Sequence, residues 1–354
     1  MKKNFKKAFL LKKILLITGV IVFVFVSVSY FLPQPTEEKE KPSYDKDLKT
    51  KFDFPALGKI DEDIKEPDQI IVYDHTEGEK KEKNMEKYLI GVVAAEMPPS
   101  FHQEALKAQA VAARSYTMAR LPEFGGTGCS HKEGADICTN PNHCQDYMDE
   151  DDAEKKWGKR GNKKWDKVRQ SVKSTRGEVL KYSGKLVTDA PYHSTCGGKT
   201  ESAQKVWGTE LGYIKPVECE YCQHSQKYTD KVELKDQQVA DVVSSVNSNA
   251  KNHVLSGEKP VQVLNRSSTG RVLEAKIGGQ VISGREVRQM FDLKSTNFSL
   301  EHNDGSGWVF KTRGFGHGVG LCQYGADGMA KDGYEYREIL DHYFQNILAE
   351  RIYK

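Results

Sequence analysis

The stretch from Met85 to Arg114, MEKYLIGVVAAEMPPSFHQEALKAQAVAAR, decides the fold, because it specifies two helices and the break between them. Apolar residues recur on neighbouring turns as far as Glu96, which predicts a helix, and the proline pair that follows ends it. Ser100 followed by Gln103 has the form of a capping box that opens a second helix. The many alanines of this second helix permit close packing of another element.

Shorter elements surround this helical pair and alternate between helix and strand patterns. Beyond the pair we expect helices near residues 163–175 and 234–246, and strands near residues 70–73, 178–182, 185–188, 261–264, 272–277, 281–282 and 308–310. The class is therefore α+β, with a helical segment packed with antiparallel strands. No repeat or Gly-Ser linker divides residues 67–354, which we expect to form one body.

The N-terminus carries the pattern of a membrane anchor. Six lysines precede residues 14–32, a run of 19 residues without charge that is long enough to span a bilayer. A cleaved signal peptide is the alternative, but Pro33-Gln34-Pro35 stands where a small-residue cleavage site should be. We therefore expect residues 1–13 in the cytoplasm, 14–32 as a transmembrane helix, 33–66 as a charged linker and the rest outside the membrane.

Composition limits the class of protein. The 354 residues are 38% hydrophobic and 29% charged, which suits a protein with a core and excludes a disordered chain. Six of the 53 basic residues lie before the anchor, leaving 47 against 50 acidic residues for everything after it. The exported part is slightly acidic, and no nucleic-acid-binding surface is expected.

Glu96 is the first candidate for chemistry. It ends the apolar segment that begins at Val92, so burial should raise the pKa of its carboxyl group toward the range of a general acid. The alternative is a buried ion pair with Arg114 on the next helix. Spacing alone leaves both interpretations open.

Residues 129–144 hold five soft or borderline metal ligands in a segment without regular periodicity. Two sulfurs and two imidazoles suit tetrahedral zinc, and the preferred ligands are His131, Cys138, His143 and Cys144, with Cys129 in reserve. A Cys138–Cys144 disulfide or unpaired thiols are the alternatives.

The remaining cysteines give no assignment. The chain has seven in all, an odd number, so at least one is free or bound to a metal. Cys219 and Cys222, with His224 nearby, could form a redox pair, half of another metal site or a local disulfide. No activity is assigned to them.

Two glycine-rich polar stretches, residues 192–202 and 314–326, follow strands. Neither has the spacing of a phosphate-binding loop. Backbone that can approach a ligand, with His, Tyr, Ser and Gln beside it, suits a neutral polyhydroxylated ligand such as a sugar. Tight turns with satisfied core histidines are the alternative.

Together these stretches resemble the stage II sporulation protein D family of endospore-forming bacteria, which are peptidoglycan lytic transglycosylases. The resemblance covers residues 67–354, includes the anchor, and rests on residues 88–98, 104–116, 193–198 and 314–326. The cysteine and histidine loop is similar to the clostridial branch of that family, in which a zinc ion is expected near the cleft. One zinc ion, mainly structural, is therefore expected.

The resemblance implies that Glu96 is the catalytic acid. It also implies eight residues that line or support the glycan cleft: Arg114, Gln145, Tyr192, His193, Ser194, His317, Gln323 and Tyr324. Cys196 and Cys322 stand where many relatives have other residues, so their roles are not implied.

The function implied is cleavage of the bond between N-acetylmuramic acid and N-acetylglucosamine with formation of a 1,6-anhydro ring. The expected place is the mother-cell membrane facing the intermembrane space, during septal wall remodelling and engulfment. The expected partners are peptidoglycan glycan strands, a cell-wall amidase that strips peptides, and a polytopic membrane protein. A zinc-dependent amidase and a noncatalytic glycan-binding scaffold are the alternatives.

Overall fold

The computed structural model of the chain describes residues 66–303 and 307–353. The predicted anchor, residues 14–32, and nearly all of the predicted linker lie outside these described residues. Within the described ranges, no helix is both long enough and apolar enough to cross a membrane.

The first two helices form the centre of the protein. Helix α1 spans Met85–Glu96, as predicted. Asn84 caps its N-terminus, and the Asn84 side chain accepts a hydrogen bond from the Lys87 N–H. Helix α2 spans Gln103–Met118 and thus continues one turn beyond the quoted stretch.

The predicted capping box at Ser100 is wrong. The Phe101 N–H donates to the Pro98 carbonyl, so Ser100 lies inside a turn and the helix starts later. His102 takes the cap position, where its Nδ1 accepts from the Glu104 N–H. The proline pair therefore sets the start of α2 by forming this turn.

Helix α2 is buried on nearly every side. Its alanines, among them Ala105, Ala108 and Ala112, have no exposed surface. Around it pack α1 and three later helices, α4 at Gly161–Ser174, α9 at Gln323–Lys331 and α10 at Tyr336–Tyr343. Small side chains let these helices approach α2 closely, which makes it the middle of the first hydrophobic core.

The strands form several small sheets around this helical centre. Strand β1 (Ile70–Asp74) lies between β2 (Glu79–Lys83), its antiparallel partner, and β3 (Ile137–Cys138), its parallel partner. Strand β4 (Glu178–Tyr182) pairs antiparallel with β5 (Lys185–Leu186) and β14 (Ile347–Arg351). The predicted antiparallel pairing is thus confirmed for most strands, with the β1–β3 pair as one of two parallel exceptions.

A second parallel pair joins the two glycine-rich stretches. Strand β6 (Tyr192–His193) pairs with β13 (Leu321–Cys322), with Cys322 opposite His193. Segments that are distant in sequence meet here at the start of α9.

Residues 229–313 build a second hydrophobic core, centred on Phe298, Trp308 and Phe310. One sheet has β12 (Gly307–Arg313) between β7 (Thr229–Leu234) and β11 (Phe298–Asn303), and another has β9 (Val272–Ile277) between β8 (Gln262–Arg266) and β10 (Gln280–Ser283). Its helices are α6 (Asp236–Ser244), α7 (Ala250–Leu255) and α8 (Gly284–Met290). The sequence did not predict this separate core.

Other short elements were not predicted. They include α3 (Glu150–Trp157), α5 (Ala203–Trp207) and single 3-10 turns at Pro122–Phe124 and Glu220–Cys222, and α9, α10, β2 and β14 were not predicted either. The helix expected from residue 234 begins at Asp236 instead, because Leu234 ends β7.

Candidate functional site

Glu96 is the last residue of α1 and is half-buried. Its Oε1 accepts a hydrogen bond of 3.0 Å from the backbone N–H of Asp146, and its Oε2 accepts one of 3.3 Å from Gln323 Nε2. Two segments distant in sequence therefore hold the carboxyl group, while part of the side chain stays accessible to solvent.

The surroundings of Glu96 favour its protonated form. Desolvation, helped by the nearby negative charge of Asp146, raises the pKa of Glu96 to about 7, although the hydrogen bonds from Asp146 N–H and Gln323 oppose the rise. The Glu96 carboxyl group can thus both donate and accept a proton near neutral pH.

Arg114 is not the partner of Glu96, so the predicted alternative of an ion pair between them is wrong. Arg114 is fully buried, and its guanidinium donates to Glu86 at 2.7 Å and 2.9 Å in a bidentate pair. It also donates to the carbonyls of Val172 and Glu178. Arg114 therefore ties α1 and α2 to α4 and β4 and does not contact Glu96.

Gln323 and Tyr324 stand at the start of α9, directly after β13. Gln323 Nε2 lies 3.4 Å from Gln109 Oε1 as well as within reach of Glu96. The Tyr324 N–H donates to the Ser194 carbonyl at 3.0 Å, which joins the two glycine-rich stretches. The structure thus brings Ser194, Gln323 and Tyr324 together; that they line a glycan cleft stays a prediction.

Gln145 supports the site from inside the protein. It is fully buried, donates to the hydroxyl of Tyr192 at 2.8 Å and accepts from Thr117 at 2.9 Å. Its position next to Asp146 fixes the backbone that contacts Glu96. Burial raises the pKa of Tyr192 well above its usual value, so its hydroxyl stays protonated.

The two histidines of the glycine-rich stretches are held neutral. Desolvation lowers the pKa of His193 well below its usual value, and desolvation with the Arg288 charge lowers that of His317 to about 3. His317 Nε2 donates to the Tyr192 carbonyl, and His193 Nδ1 donates to the Val319 carbonyl. His193 Nε2 is buried and has no hydrogen-bond partner among the described residues, which leaves it available as an acceptor.

The cysteine and histidine loop forms a compact donor cluster, which we call the loop cluster. It consists of Cys129, Cys138, His143 and Cys144, whose ligand atoms all lie within 4.8 Å of one another. His143 Nδ1 is 3.1 Å from Cys144 Sγ and 3.4 Å from Cys138 Sγ. Three sulfurs and one imidazole nitrogen at these spacings fit a tetrahedral zinc ion.

The preferred ligand set needs one correction, because His131 is not in the loop cluster and Cys129 takes its place. The His131 ring stands 5.3 Å from the His143 ring, between it and Tyr73. The backbone of β3 carries Cys138 inward, and the turn after Gly128 brings Cys129 to it, which spacing alone does not reveal. Ser130 Oγ, 3.0 Å from His143 Nε2, orients the imidazole with Nδ1 toward the sulfurs.

Asp146 is the site residue that sequence reasoning missed. It lies in the irregular segment two residues after Cys144, and both its N–H and its charge act on Glu96. The carboxyl group of Asp146 is a second acid beside Glu96, and no sequence motif marks it. The adjacency of Gln145 and Asp146 to the loop cluster was the only signal for it in the sequence.

Comparisons with known proteins bear on the family of the chain. Residues 73–182 match the family model "Stage II sporulation protein", and residues 218–320 match a domain of unknown function. Stage II sporulation protein D of Bacillus amyloliquefaciens is 29% identical over 94% of both chains. An amidase enhancer of Bacillus subtilis is 26% identical over 72% of this chain and 39% of its own length.

A second relative decides the family. Stage II sporulation protein D of Bacillus subtilis is 33% identical over 74% of this chain and 73% of its own. Its name and the description of the family model agree with the family resemblance of the stretches around Glu96 and Gln323. The chain belongs to the stage II sporulation protein D family, and its role is in sporulation.

Proposed function

We propose that the protein is a peptidoglycan lytic transglycosylase. It cleaves the bond between N-acetylmuramic acid and N-acetylglucosamine in peptide-stripped glycan strands. The observation that carries this proposal is the Glu96 carboxyl group, half-buried, without a cation partner among the described residues, and with its pKa raised to about 7.

In this reaction one carboxyl group performs two proton transfers. Glu96 protonates the glycosidic oxygen as the bond to C1 breaks, and the carboxylate then takes the proton of the muramic C6 hydroxyl as that oxygen attacks C1. The products are a 1,6-anhydromuramic end and a free N-acetylglucosamine hydroxyl, and Glu96 regains its proton. No water is consumed.

The neighbours of Glu96 have supporting roles. Hydrogen bonds from Gln323 and the Asp146 N–H hold the carboxylate that forms after the first transfer. Neutral His193 is buried, packs against the His317 ring and donates to the Val319 carbonyl, so it supports the glycine-rich stretches from inside. Ser194 and Tyr324 stay partly exposed, and Tyr324 directly follows Gln323, so their hydroxyl groups are candidates for binding the glycan.

Asp146 favours a second candidate reaction, hydrolysis. A hydrolase needs another carboxylate to activate water or to act as nucleophile, and Asp146 lies beside Glu96. The two reactions differ in product, because hydrolysis leaves a reducing end without the anhydro ring.

For the loop cluster we propose a structural zinc ion. Cys129, Cys138, His143 and Cys144 supply four donors, so no coordination position remains for a substrate. Bound zinc would order the segment that carries Asp146. A zinc-dependent amidase needs an open position, which this donor set does not provide.

The setting of the reaction is a further proposal, supported by family membership and by the sequence. We propose a single-pass protein of the mother-cell membrane, anchored by residues 14–32 with its N-terminus in the cytoplasm and its body in the intermembrane space. An amidase that strips stem peptides would prepare its substrate, and a polytopic membrane protein is the other proposed partner. The relative named amidase enhancer supports an association with an amidase.

The deciding experiment is mass spectrometry of purified, peptide-free glycan strands digested by the full chain in detergent. Anhydromuramic ends are expected. Reducing ends would make the protein a hydrolase, released peptides from intact peptidoglycan would indicate an amidase, and an undigested glycan that is nevertheless bound would indicate a scaffold.

An Asp146→Asn variant in the same digest tests the second carboxyl group. Transglycosylation needs the backbone N–H of residue 146, which asparagine keeps, and no second carboxylate, so anhydro ends should still form even though loss of the Asp146 charge removes one cause of the raised pKa of Glu96. Loss of all cleavage with an unchanged melting temperature would contradict a mechanism with one carboxyl group.

A further inference from the structure

Four cysteines meet in the first hydrophobic core, outside the loop cluster; we call them the core cluster. Cys196 follows β6, Cys322 ends β13, and Cys219 and Cys222 belong to the 3-10 turn between α5 and β7. Their Sγ atoms all lie within 4.8 Å of one another, and all four side chains are buried. Three segments that are distant in sequence therefore bring four thiols to one point.

The spacing of these sulfurs suits a shared metal ion better than bonds between them. Cys196 Sγ and Cys222 Sγ are 3.4 Å apart, whereas a disulfide needs about 2.05 Å. Zinc binds thiolates at about 2.3 Å, which places the sulfurs of a tetrahedral site about 3.8 Å apart. The two-residue gap between Cys219 and Cys222 is also the usual spacing of a zinc-binding pair.

The groups around the core cluster donate hydrogen bonds to sulfur. The N–H groups of Cys196 and Gly325 lie 3.2 Å and 3.3 Å from Cys322 Sγ, and the Tyr343 hydroxyl lies 3.1 Å from Cys219 Sγ. Such donors stabilise thiolates, the form that binds metal.

Gly325 shows how closely α9 approaches the sulfurs. A Cβ atom at Gly325 would lie 2.7 Å from Cys219 Sγ and 2.0 Å from the Tyr343 hydroxyl oxygen. No other residue fits there without displacing the cluster. Cys196 is in turn followed by Gly197 at φ +77°, a conformation that favours glycine and turns the chain around the cluster.

A buried cation stands beside the core cluster. The Arg271 guanidinium is 2% exposed and donates to the carbonyls of Cys196 and Lys199 at 2.9 Å and 3.0 Å. Its Nη1 reaches the Glu201 carboxylate only through the Thr269 hydroxyl, so Glu201 compensates part of its charge without a direct ion pair within residues 66–303 and 307–353. Four thiolates around Zn²⁺ carry two net negative charges, which would compensate this cation.

From this geometry we infer that Cys196, Cys219, Cys222 and Cys322 bind a second, structural Zn²⁺ ion as a tetrathiolate. The ion clamps β6 to β13 beneath the site, since Cys322 pairs with His193 and immediately precedes Gln323. The full chain would then hold two zinc ions, one in each cluster.

Zinc X-ray absorption with elemental analysis of the wild-type full chain, purified in detergent without chelator, tests this inference directly. The expected result is two ions per chain. The core cluster supplies four sulfur ligands and the loop cluster three, so the average is three and a half sulfurs per zinc ion. One ion bound by three sulfurs and one nitrogen, or no ion, would overturn the inference. One ion bound by four sulfurs would support it.

Paired variants locate each ion. Cys138→Ser with Cys144→Ser should leave one zinc bound by four sulfurs, whereas Cys219→Ser with Cys222→Ser should lose that ion. Intact mass after denaturation should show all seven cysteines reduced; a loss of four mass units, as for two disulfides within the core cluster, would contradict the tetrathiolate. The wild-type measurement decides the matter if either variant fails to fold.

Discussion

The two ends of helix α1 carry glutamates in opposite surroundings. Glu86, in the first turn, forms a bidentate ion pair with buried Arg114 and accepts from the Tyr353 hydroxyl. Glu96, in the last turn, has hydrogen-bond donors but no cation partner in the part of the chain that the structure describes, and its pKa is raised. A glutamate on this helix therefore stabilises the fold where it pairs with a buried cation, as Glu86 does. It can become reactive where it is desolvated without such a partner, as Glu96 is.

The largest expected effect comes from Glu96→Gln. The amide keeps the shape of the carboxyl group but cannot titrate, so formation of anhydro ends should fall by roughly 10²- to 10⁴-fold. The measurement is turnover on peptide-free glycan, with the melting temperature recorded on the same sample.

Glu123→Gln is the matched control, because Glu123 is another glutamate whose pKa is raised by desolvation but is not a partner of Glu96. It should keep wild-type turnover. A folded Glu96→Gln protein that still forms anhydro ends at the wild-type rate would refute the role of Glu96.

Glu86→Gln should act on stability instead. It leaves the buried Arg114 guanidinium without its carboxylate, which should lower the free energy of unfolding by roughly 3 kcal/mol. Denaturant unfolding measures this loss, and turnover per folded molecule should change little.

Adding Arg114→Met to Glu86→Gln removes the unpaired cation and should recover much of the lost stability. If the double variant were as unstable as the sum of its single variants, Arg114 would matter through its contacts to Val172 and Glu178 and not through Glu86.

The pH dependence of stability separates the two ends further. Burial raises the pKa of Glu96 from 4.5 to about 7, so the folded protein is penalised once this carboxyl group ionises. Below pH 4.5 Glu96 is protonated in both states; between about pH 4.5 and 7 the wild type loses stability relative to Glu96→Gln, by at most about 3 kcal/mol. If the difference in unfolding free energy between the wild type and Glu96→Gln were the same at pH 4 and pH 8, it would contradict this pKa.

The smallest effect is expected at the cap of α1. Asn84→Ala removes the acceptor for the Lys87 N–H and should cost about 1 kcal/mol of stability. Because Asn84 is at the Glu86 end, the pH dependence of turnover should not move. A shift of that profile would mean that fraying of the first turn reaches Glu96.

The sequence predicted the local features well. Helix α1 was predicted at both ends, because apolar periodicity and a proline pair are local signals, and the desolvation of Glu96 followed from its apolar neighbours. The partner of Arg114 could not be predicted, since Glu86 and Glu96 lie on the same helix and only the crossing of α1 and α2 selects one.

The features that depend on distant segments were missed. Cys129 takes the place of His131 in the loop cluster because of the way one turn folds onto β3. Asp146 reaches Glu96 from an irregular segment. The core cluster joins Cys196 to Cys322 through a parallel strand pair that no local pattern marks.

That parallel pair also sets the order in which the site can be completed. Strand β6 is made early, but β13 and Gln323 follow only after residues 229–313, which have a core of their own. A chain that grows from its N-terminus therefore carries Glu96 without its Gln323 contact until nearly all of it has been synthesised. The contacts of Glu96 are completed only when the last tenth of the protein has folded against α2, so a chain truncated before Leu321 cannot form the site.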